Sequence, residues 1–179
     1  MDLLLNTMVR LGRGAQEPYY ERAVVGVAFH FAKYFSITPL YSYIWNQPLG
    51  GTPNRENRIA VEAAVELPFG RWTVGERNVF ERRFMPPKDS TRYKNRVEIA
   101  RRIKETGRPL SVYVADEVVY DWSVNAWARN RISIGGRQSL NKKVSLDVYY
   151  MLQNRLRTRP TTAHIVGITV NMRFKDKSP

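Results

Sequence analysis

The stretch "KKVSLDVYYMLQNR", Lys142–Arg155, alternates between apolar and polar side chains along most of its length. The apolar edge is formed by Val144, Leu146, Val148, Tyr150 and Leu152. The positions between them are Lys143, Ser145, Asp147, Tyr149, Met151 and Gln153. This period of two predicts a β-strand that has one face against an apolar medium and the other against a polar one. The rest of the sequence must decide whether the apolar medium is a protein interior or lipid.

The same alternation recurs through nearly the whole chain of 179 residues. It predicts about ten strands, an even number of the kind that single-chain bacterial membrane barrels use. The predicted strands cover 3–12, 21–32, 36–46, 57–68, 71–84, 91–103, 109–120, 127–136, 142–153 and 162–174. The best helical candidate, Arg96–Gly107, also alternates, and its β-branched residues favour a strand. The sequence therefore predicts an all-β protein.

The composition is that of an ordered protein with an unusual charge. The chain is 43% hydrophobic and 12% aromatic, contains no cysteine and carries a formal net charge of +13. The missing cysteines exclude a disulfide scaffold and a cysteine-based metal site. A strongly basic chain suggests nucleic acid, anionic lipid headgroups or small anions as partners. We do not expect nucleic acid, because the cations are spread over every strand instead of clustering on one surface.

No apolar run approaches the ~20 residues that a membrane-spanning helix requires. A membrane barrel would show no such run, so the sequence leaves that fold open. The start of the chain, "MDLLLNT", lacks the basic start, apolar run and cleavage site of a signal peptide. We therefore expect an exported form of this protein to need a leader that this sequence does not contain.

Strand length and connection length both favour a membrane barrel. Most predicted strands have about 10–13 residues, whereas strands of globular sheets have ~5–6 and tilted membrane strands ~9–11. Short connections at 32–36, 68–71, 104–109 and 139–143 alternate with longer ones at 12–20, 46–57, 84–91, 121–127 and 154–162. Outer-membrane barrels have short periplasmic turns and longer outer loops. The pattern predicts a transmembrane antiparallel up-and-down β-barrel whose termini both lie on the periplasmic side.

Aromatic residues gather near the ends of the predicted strands, where a bilayer would place the headgroups that such rings prefer. The polar face mixes both charge signs with small residues, as a narrow lumen requires, because buried charges must pair. The predicted lumen charge cluster consists of Arg77, Glu81, Arg83, Arg96, Glu98, Glu117, Arg131, Asp147 and Arg173. A soluble lipocalin-like barrel with its apolar face inward, around an apolar ligand, is the alternative.

Five short motifs carry a resemblance to a known family: "GERNVFERRF", "RYKNRVEI", "VADEVVYDW", "RNRISIGG" and "HIVGITVNMRF". From about Tyr19 to Phe174 the chain resembles an uncharacterised family of Gram-negative outer-membrane β-barrels, catalogued as domain of unknown function 2490. The resemblance implies a monomeric barrel in the bacterial outer membrane and assigns it no activity. Family members usually begin with a further strand or hairpin, so twelve strands are the alternative to ten.

The sequence predicts a single barrel domain at 1–174 with a C-terminal tail at 175–179, and it offers no catalytic or metal motif. Its two histidines, His30 and His164, are expected to lie far apart, and neither has a partner that would make a nucleophile–base pair. His164 could find a partner only by closure onto the first strand. Metal-ligand spacings and phosphate-binding loops are also missing. We therefore expect no enzymatic activity and no cofactor.

These features predict a structural or accessory outer-membrane barrel whose lumen is filled by charge pairs. A barrel of about ten strands is only slightly wider than the eight-strand class, whose interior side chains fill it. The outer loops should contact lipopolysaccharide phosphates, or another outer-membrane or periplasmic protein, through charge-assisted hydrogen bonds. The predicted outer-loop anion contacts are Arg55, Lys88, Arg155, Arg157 and Arg159. A small, porin-like, anion-preferring channel is the alternative function.

Overall fold

The computed structural model describes residues 1–12, 17–47, 52–155 and 162–175, and this part of the chain is built from ten strands. They are β1 (Asp2–Gly12), β2 (Glu17–Ala32), β3 (Phe35–Asn46), β4 (Asn54–Phe69), β5 (Trp72–Phe84), β6 (Ser90–Lys104), β7 (Leu110–Asp121), β8 (Ala126–Ser139), β9 (Val144–Arg155) and β10 (Thr162–Lys175). In the residues that the structure describes, no helix is long and apolar enough to cross a membrane.

Every strand pairs antiparallel with its neighbours in the chain, and β1 also pairs with β10 to close the sheet into a barrel. The closing seam runs from the pair Asp2 and Lys175 to the pair Leu11 and Val166. The prediction of an all-β up-and-down barrel with ten strands is therefore confirmed, and ten strands suffice to close it. The predicted domain boundary at residue 174 stays a prediction, because residues 176–179 lie outside the described part.

Several strands extend further than the sequence predicts. β2 and β4 are each 16 residues long, and β4 begins at Asn54 instead of at residue 57. The backbone of a polar segment can pair with a neighbouring strand as well as that of an apolar one, because every residue carries a donor and an acceptor. The connections at 85–89 and 105–109 are equal in length, and so are those at 122–125 and 140–143. The predicted strict alternation of short and long connections is therefore wrong, and the placement of both termini on the periplasmic side stays a prediction. Following that prediction, we call the end of the barrel that carries Asp2 and Lys175 the periplasmic end and the opposite end the outer end.

The two faces of the sheet differ sharply in polarity. Ile59 and Ile134 point outward and are 57% and 58% exposed, whereas Glu81 points inward and is 2% exposed. A soluble protein does not surround itself with a continuous apolar belt. Lipid on the outside explains the belt, since membrane barrels place apolar residues outward and polar residues in the lumen. The transmembrane prediction is confirmed, and the lipocalin-like alternative is wrong because its apolar face would point inward.

Aromatic side chains mark both ends of the apolar belt. At the outer end, the Trp122 ring lies 5.3 Å from Phe80 and 5.2 Å from Tyr120, measured between ring centroids. At the periplasmic end, the guanidinium of Arg101 stacks 5.3 Å from the centroid of Trp72. These positions fit the headgroup level of a bilayer.

Candidate functional site in the lumen

The first charged network of the lumen is centred on Glu56, near the outer end of β4. Arg83 of β5 donates from Nη2 to Glu56 Oε2 at 2.8 Å and from Nε to Oε1 at 2.5 Å. Arg58 donates from Nε to the same Oε1 at 2.5 Å. The two guanidinium groups thus share one carboxylate that is 5% exposed, and Arg83 binds it in the bidentate geometry that makes such pairs strong.

Glu81 of β5 continues this network toward the middle of the barrel. Lys94 of β6 lies 2.6 Å from it, measured from Nζ to Oε2, and Arg58 lies 3.5 Å away from Nη1 to the same oxygen. Alanine at position 60, directly opposite Glu81 in the register, leaves space for these long side chains. We call this connected set the ionic wall, and its members are Glu56, Arg58, Glu81, Arg83 and Lys94.

A looser set of ion pairs lies at mid-depth, around Arg77. Its Nε lies 3.5 Å from Glu62 Oε2, and its Nη2 lies 4.0 Å from Glu117 Oε2. Glu117 also accepts a hydrogen bond from Arg131 Nη1 at 2.5 Å. The Arg77 side chain is 44% exposed although it points into the lumen from the middle of β5. The lumen therefore has room for water beside this guanidinium.

A third set connects β6, β8 and β9. Glu98 accepts hydrogen bonds from Arg96 at 2.9 Å and from Arg137 at 3.2 Å. Arg137 also donates to Asp147 at 3.2 Å, and Tyr113 donates from its hydroxyl to the other oxygen of Asp147 at 2.9 Å. The Arg137 side chain is 38% exposed, so it too borders open space in the lumen.

Eight of the nine residues of the predicted lumen charge cluster lie in these three networks. The ninth, Arg173, lies near the periplasmic end, with its Nε 3.9 Å from Asp2 Oδ2. Sequence reasoning missed Glu56, because residues up to 57 were assigned to a loop, and it left Arg58 out of the cluster although the predicted strand 57–68 includes it. It also missed Arg137, although its alternation with Gly135 and Ser133 on β8 would have placed it inward. What the cluster does in the function stays a prediction.

The opposite side of the lumen, on β7 to β10, carries an apolar cluster beside its charged residues. A cluster of buried residues there consists of Tyr113, Ala115, Tyr149, Met151 and Ile165, and we call it the aromatic wall. A Cβ atom added at Gly135 would lie 2.6 Å from the ring and hydroxyl of Tyr113, and one at Gly167 would clash with Tyr149. Gly135 is therefore a tight barrel position, where the missing side chain allows the close approach of a ring.

Four arginines in the outer half of the lumen, which we call the outer arginines, form no ion pair with any described carboxylate. They are Arg10, Arg22, Arg129 and Arg155. Arg10 donates to the hydroxyl of Tyr149 at 3.1 Å and lies 4.8 Å over the ring of Tyr20, so Tyr20 does not join the outer aromatic belt. The Nε atoms of Arg22 and Arg155 are buried without a hydrogen-bond partner in the described structure.

The predicted outer-loop anion contacts fall into three groups. Arg55 and Lys88 are exposed at the outer end of the barrel. Arg155 shares the inward parity of Gln153 and pairs in register with Arg129, so it lies at the mouth of the lumen. Residues 157 and 159 are outside the described part, so nothing tests Arg157 and Arg159.

Each histidine has one polar partner. His30 Nε2 lies 3.2 Å from Asp2 Oδ2 inside the lumen, and His164 Nδ1 lies 2.5 Å from the Tyr150 hydroxyl on the outer surface. The partner of His164 is therefore on β9, not on the first strand as expected. Among residues 1–12, 17–47, 52–155 and 162–175, no group of three or more His, Asp or Glu is placed to hold a metal ion.

One family model matches this chain, over residues 1–164, and its description is "Protein of unknown function (DUF2490)". No curated protein is detectably similar to the chain in sequence.

Solved outer-membrane barrels resemble the fold. A bacterial polysaccharide outer membrane secretin superposes with a TM-score of 0.55 at 10% identity, covering 87% of this chain and 57% of its own. The KdgM porin superposes with a TM-score of 0.50 at 12% identity, covering 98% of this chain and all of its own. The chain thus spans little more than half of the secretin. At such identities the likeness shows a shared outer-membrane barrel fold.

Proposed function

We propose that this chain, which belongs to the DUF2490 family, forms a narrow, anion-preferring channel in the bacterial outer membrane. The observation that carries the proposal is the exposure of Arg77, 44% of whose side chain faces open space at mid-depth in the lumen. A filled interior would have buried this side chain. A half-hydrated guanidinium at that point can meet a passing anion, as rings of charged side chains do in selective pores.

The outer arginines support the preference for anions. Each of the three cations of the ionic wall is paired with at least one of its two carboxylates, whereas the outer arginines add positive charge that no described carboxylate neutralises. Low-dielectric walls focus such a charge and raise the local concentration of the opposite ion. The ion pairs of Arg77, at 3.5 and 4.0 Å, are longer than ordinary charge-assisted hydrogen bonds, so a transient anion can compete for this group.

Planar-bilayer recording of the purified barrel under a potassium chloride gradient tests the proposal. We expect small single-channel current steps and a reversal potential that is shifted from zero toward the equilibrium potential of chloride. Arg77→Gln should move that potential toward zero. Arg82→Gln is the matched control, because Arg82 is on the same strand but faces outward and pairs with Asp89. Folded protein that inserts without conducting, or an Arg77→Gln variant with unchanged selectivity, would overturn the channel.

The ionic wall favours a second candidate function, a structural or accessory barrel that does not conduct. Its five side chains are between 3% and 14% exposed and occupy one side of the lumen. In this case the functional contacts would lie outside the lumen. Arg55 and Lys88 would bind lipopolysaccharide phosphates or a partner in the outer membrane or periplasm. Binding to vesicles with and without lipopolysaccharide, for the wild type and for an Arg55→Gln, Lys88→Gln variant, tests that role.

Both candidates require the protein to be in the outer membrane, and neither involves an enzymatic step. Membrane fractionation and the gel shift of unheated against heated samples test the location and the fold together. A folded barrel migrates differently before and after heating. Recovery of the chain in a soluble fraction would contradict both candidate functions.

A further inference from the structure

Two of the outer arginines, Arg129 of β8 and Arg155 of β9, lie directly opposite each other in the strand register. Both face the lumen. Arg129 is also paired with Val119 of β7, which points inward and is 2% exposed, and Arg155 has the inward parity of the buried Gln153. The Cα atoms of directly paired residues on antiparallel strands are only about 4.5–5.5 Å apart. Two positive charges are therefore held side by side, and we call these two residues the arginine pair.

The arginine pair lies at the outer mouth of the lumen. Arg155 is the last residue of β9, and Arg129 is two positions from Trp127 on β8. The ring of Trp127 faces outward and lies 5.4 Å from that of Tyr120, among the aromatic residues that mark the outer end of the apolar belt. The arginine pair is therefore nearer to the outer solution than Arg77, which lies at mid-depth.

The carboxylates that β7 contributes to this part of the lumen already have partners. Glu117 accepts a hydrogen bond from Arg131 Nη1 at 2.5 Å, and Asp121 accepts one from Arg92 Nε at 2.6 Å. Both carboxylates are buried. Each is therefore committed to an arginine outside the pair.

The arginine pair has no counter-charge in the part of the chain that the structure describes. Neither Arg129 nor Arg155 is in an ion pair or donates a described hydrogen bond to another side chain, and Arg155 Nε is buried without a partner. The segments at 13–16, 48–51 and 156–161 contain no aspartate or glutamate in their sequence. Like charges directly opposite each other destabilise a sheet, and a buried donor without a partner adds to that cost. A bound anion would relieve both.

We propose that the arginine pair binds the phosphate group of a soluble ligand, either inorganic phosphate or a phosphomonoester. At neutral pH such a group carries about −1.5 to −2 charges and three acceptor oxygens, so one ligand can neutralise both arginines. The planar guanidinium group matches phosphate in a bidentate geometry. Chloride and single carboxylates carry one charge and would leave one arginine of the pair without a counter-charge.

The position of the arginine pair favours a soluble ligand over a lipid headgroup. Both side chains point into the lumen, whereas lipid surrounds the outward face of a membrane barrel. The inference goes beyond the proposed channel, because phosphate can bind at the mouth whether or not ions pass through the rest of the lumen.

Isothermal titration calorimetry of the purified, folded barrel in detergent tests the site, with inorganic phosphate, glucose 6-phosphate and glucose as separate titrants. We expect saturable binding of both phosphates and none of glucose. Arg129→Gln and Arg155→Gln should each weaken phosphate binding by about 10- to 100-fold, the ratio that corresponds to the loss of a hydrogen bond to a charged group. Arg82→Gln is the matched control, because it removes the same charge from the outward face at the same end of the barrel and should bind phosphate as the wild type does.

Unchanged heat-modifiable migration shows that each variant is folded. The proposal would be overturned if the wild type bound no phosphate saturably, or if Arg82→Gln weakened binding equally, since net charge alone would then attract the anion. Binding of lipopolysaccharide through Arg129 and Arg155, without binding of either soluble phosphate, would overturn the assignment to a soluble ligand. Calorimetry detects binding even in a barrel that does not conduct, so its result is separate from that of bilayer recording.

A stability measurement distinguishes a ligand site from an arginine that only supports the fold. Without phosphate, Arg155→Gln should unfold at a higher urea concentration than the wild type, because it removes the repulsion within the arginine pair. Added phosphate should stabilise the wild type more than Arg155→Gln, since a ligand stabilises only a folded form that binds it. An Arg155→Gln variant that is less stable than the wild type in both conditions would contradict the proposal.

Discussion

The ionic wall and the aromatic wall line the same lumen, and both consist of every second side chain along their strands. The two walls fill the lumen in different ways. On β4 to β6, long charged side chains reach sideways and share carboxylates, as Arg58 and Arg83 share Glu56. On β7 to β10, rings lie flat over glycines, as Tyr113 lies over Gly135. The ionic wall depends on each charged side chain keeping its partner. The aromatic wall depends on glycine beneath each ring, because a Cβ methyl group there would clash with it.

The largest effect should follow from removing a shared carboxylate. Glu56→Gln leaves Arg83 without its counter-charge in a buried site and leaves Arg58 with only Glu81, 3.5 Å away, and such changes typically cost about 3–5 kcal/mol. Urea unfolding of the barrel in lipid vesicles measures the difference. Glu66→Gln, at an exposed position near the periplasmic end of β4, should change stability little. Equal stability of the two variants would mean that the ionic wall is not a stabilising network.

A methyl group beneath the ring should have the next largest effect. Gly135→Ala places a Cβ atom where the Tyr113 ring lies, and overpacking of this kind costs about 1–3 kcal/mol. Gly136→Ala is the matched control, because a Cβ there would be 4.0 Å from its nearest neighbour. The same unfolding assay compares them, and an equal loss of stability for Gly136→Ala would show that packing against the ring is not the cause.

Tyr113 belongs to the aromatic wall, and its hydroxyl also donates a hydrogen bond to the charged residue Asp147. Removing only the hydroxyl therefore distinguishes the contribution of ring packing from that of the hydrogen bond. Tyr113→Phe keeps the ring over Gly135 and loses the hydrogen bond to Asp147, which still has Arg137 as a partner. We expect a loss of roughly 1 kcal/mol, the usual net value of one such bond. A loss as large as that of Glu56→Gln in the same unfolding experiment would show that the two walls are coupled through Asp147.

The smallest effect should come from an ion pair outside the barrel. Arg82 and Asp89 lie 3.3 Å apart with side chains 50% and 43% exposed, and exposed pairs contribute about 0–1 kcal/mol. Arg82→Gln should therefore unfold within that range of the wild type, and high salt should erase the difference. A larger loss would imply that the outer end of the barrel is drier than its exposure indicates.

The alternation of side chains was enough to predict the strands, the barrel and the inward direction of the charges, because sidedness in a strand follows directly from parity. The alternation could not predict which side chains contact each other inside the lumen. Which glycine lies beneath Tyr113 depends on the register between β7 and β8, and no local pattern encodes that offset. Glu56 was missed because a polar segment can pair its backbone as fully as an apolar one. The outward polar positions were readable, since Glu76 and Asn78 interrupt the apolar parity of β5.

The seam between the first and last strands makes the barrel depend on both ends of the described chain. Asn6 and Asn171 are hydrogen-bonded across this seam, 2.5 Å apart in space and 165 positions apart in the chain. Without β10, the edges of β1 and β9 would be unpaired, and such edges are templates for misassociation. A chain that lacks either end therefore has no fully paired sheet to fold into.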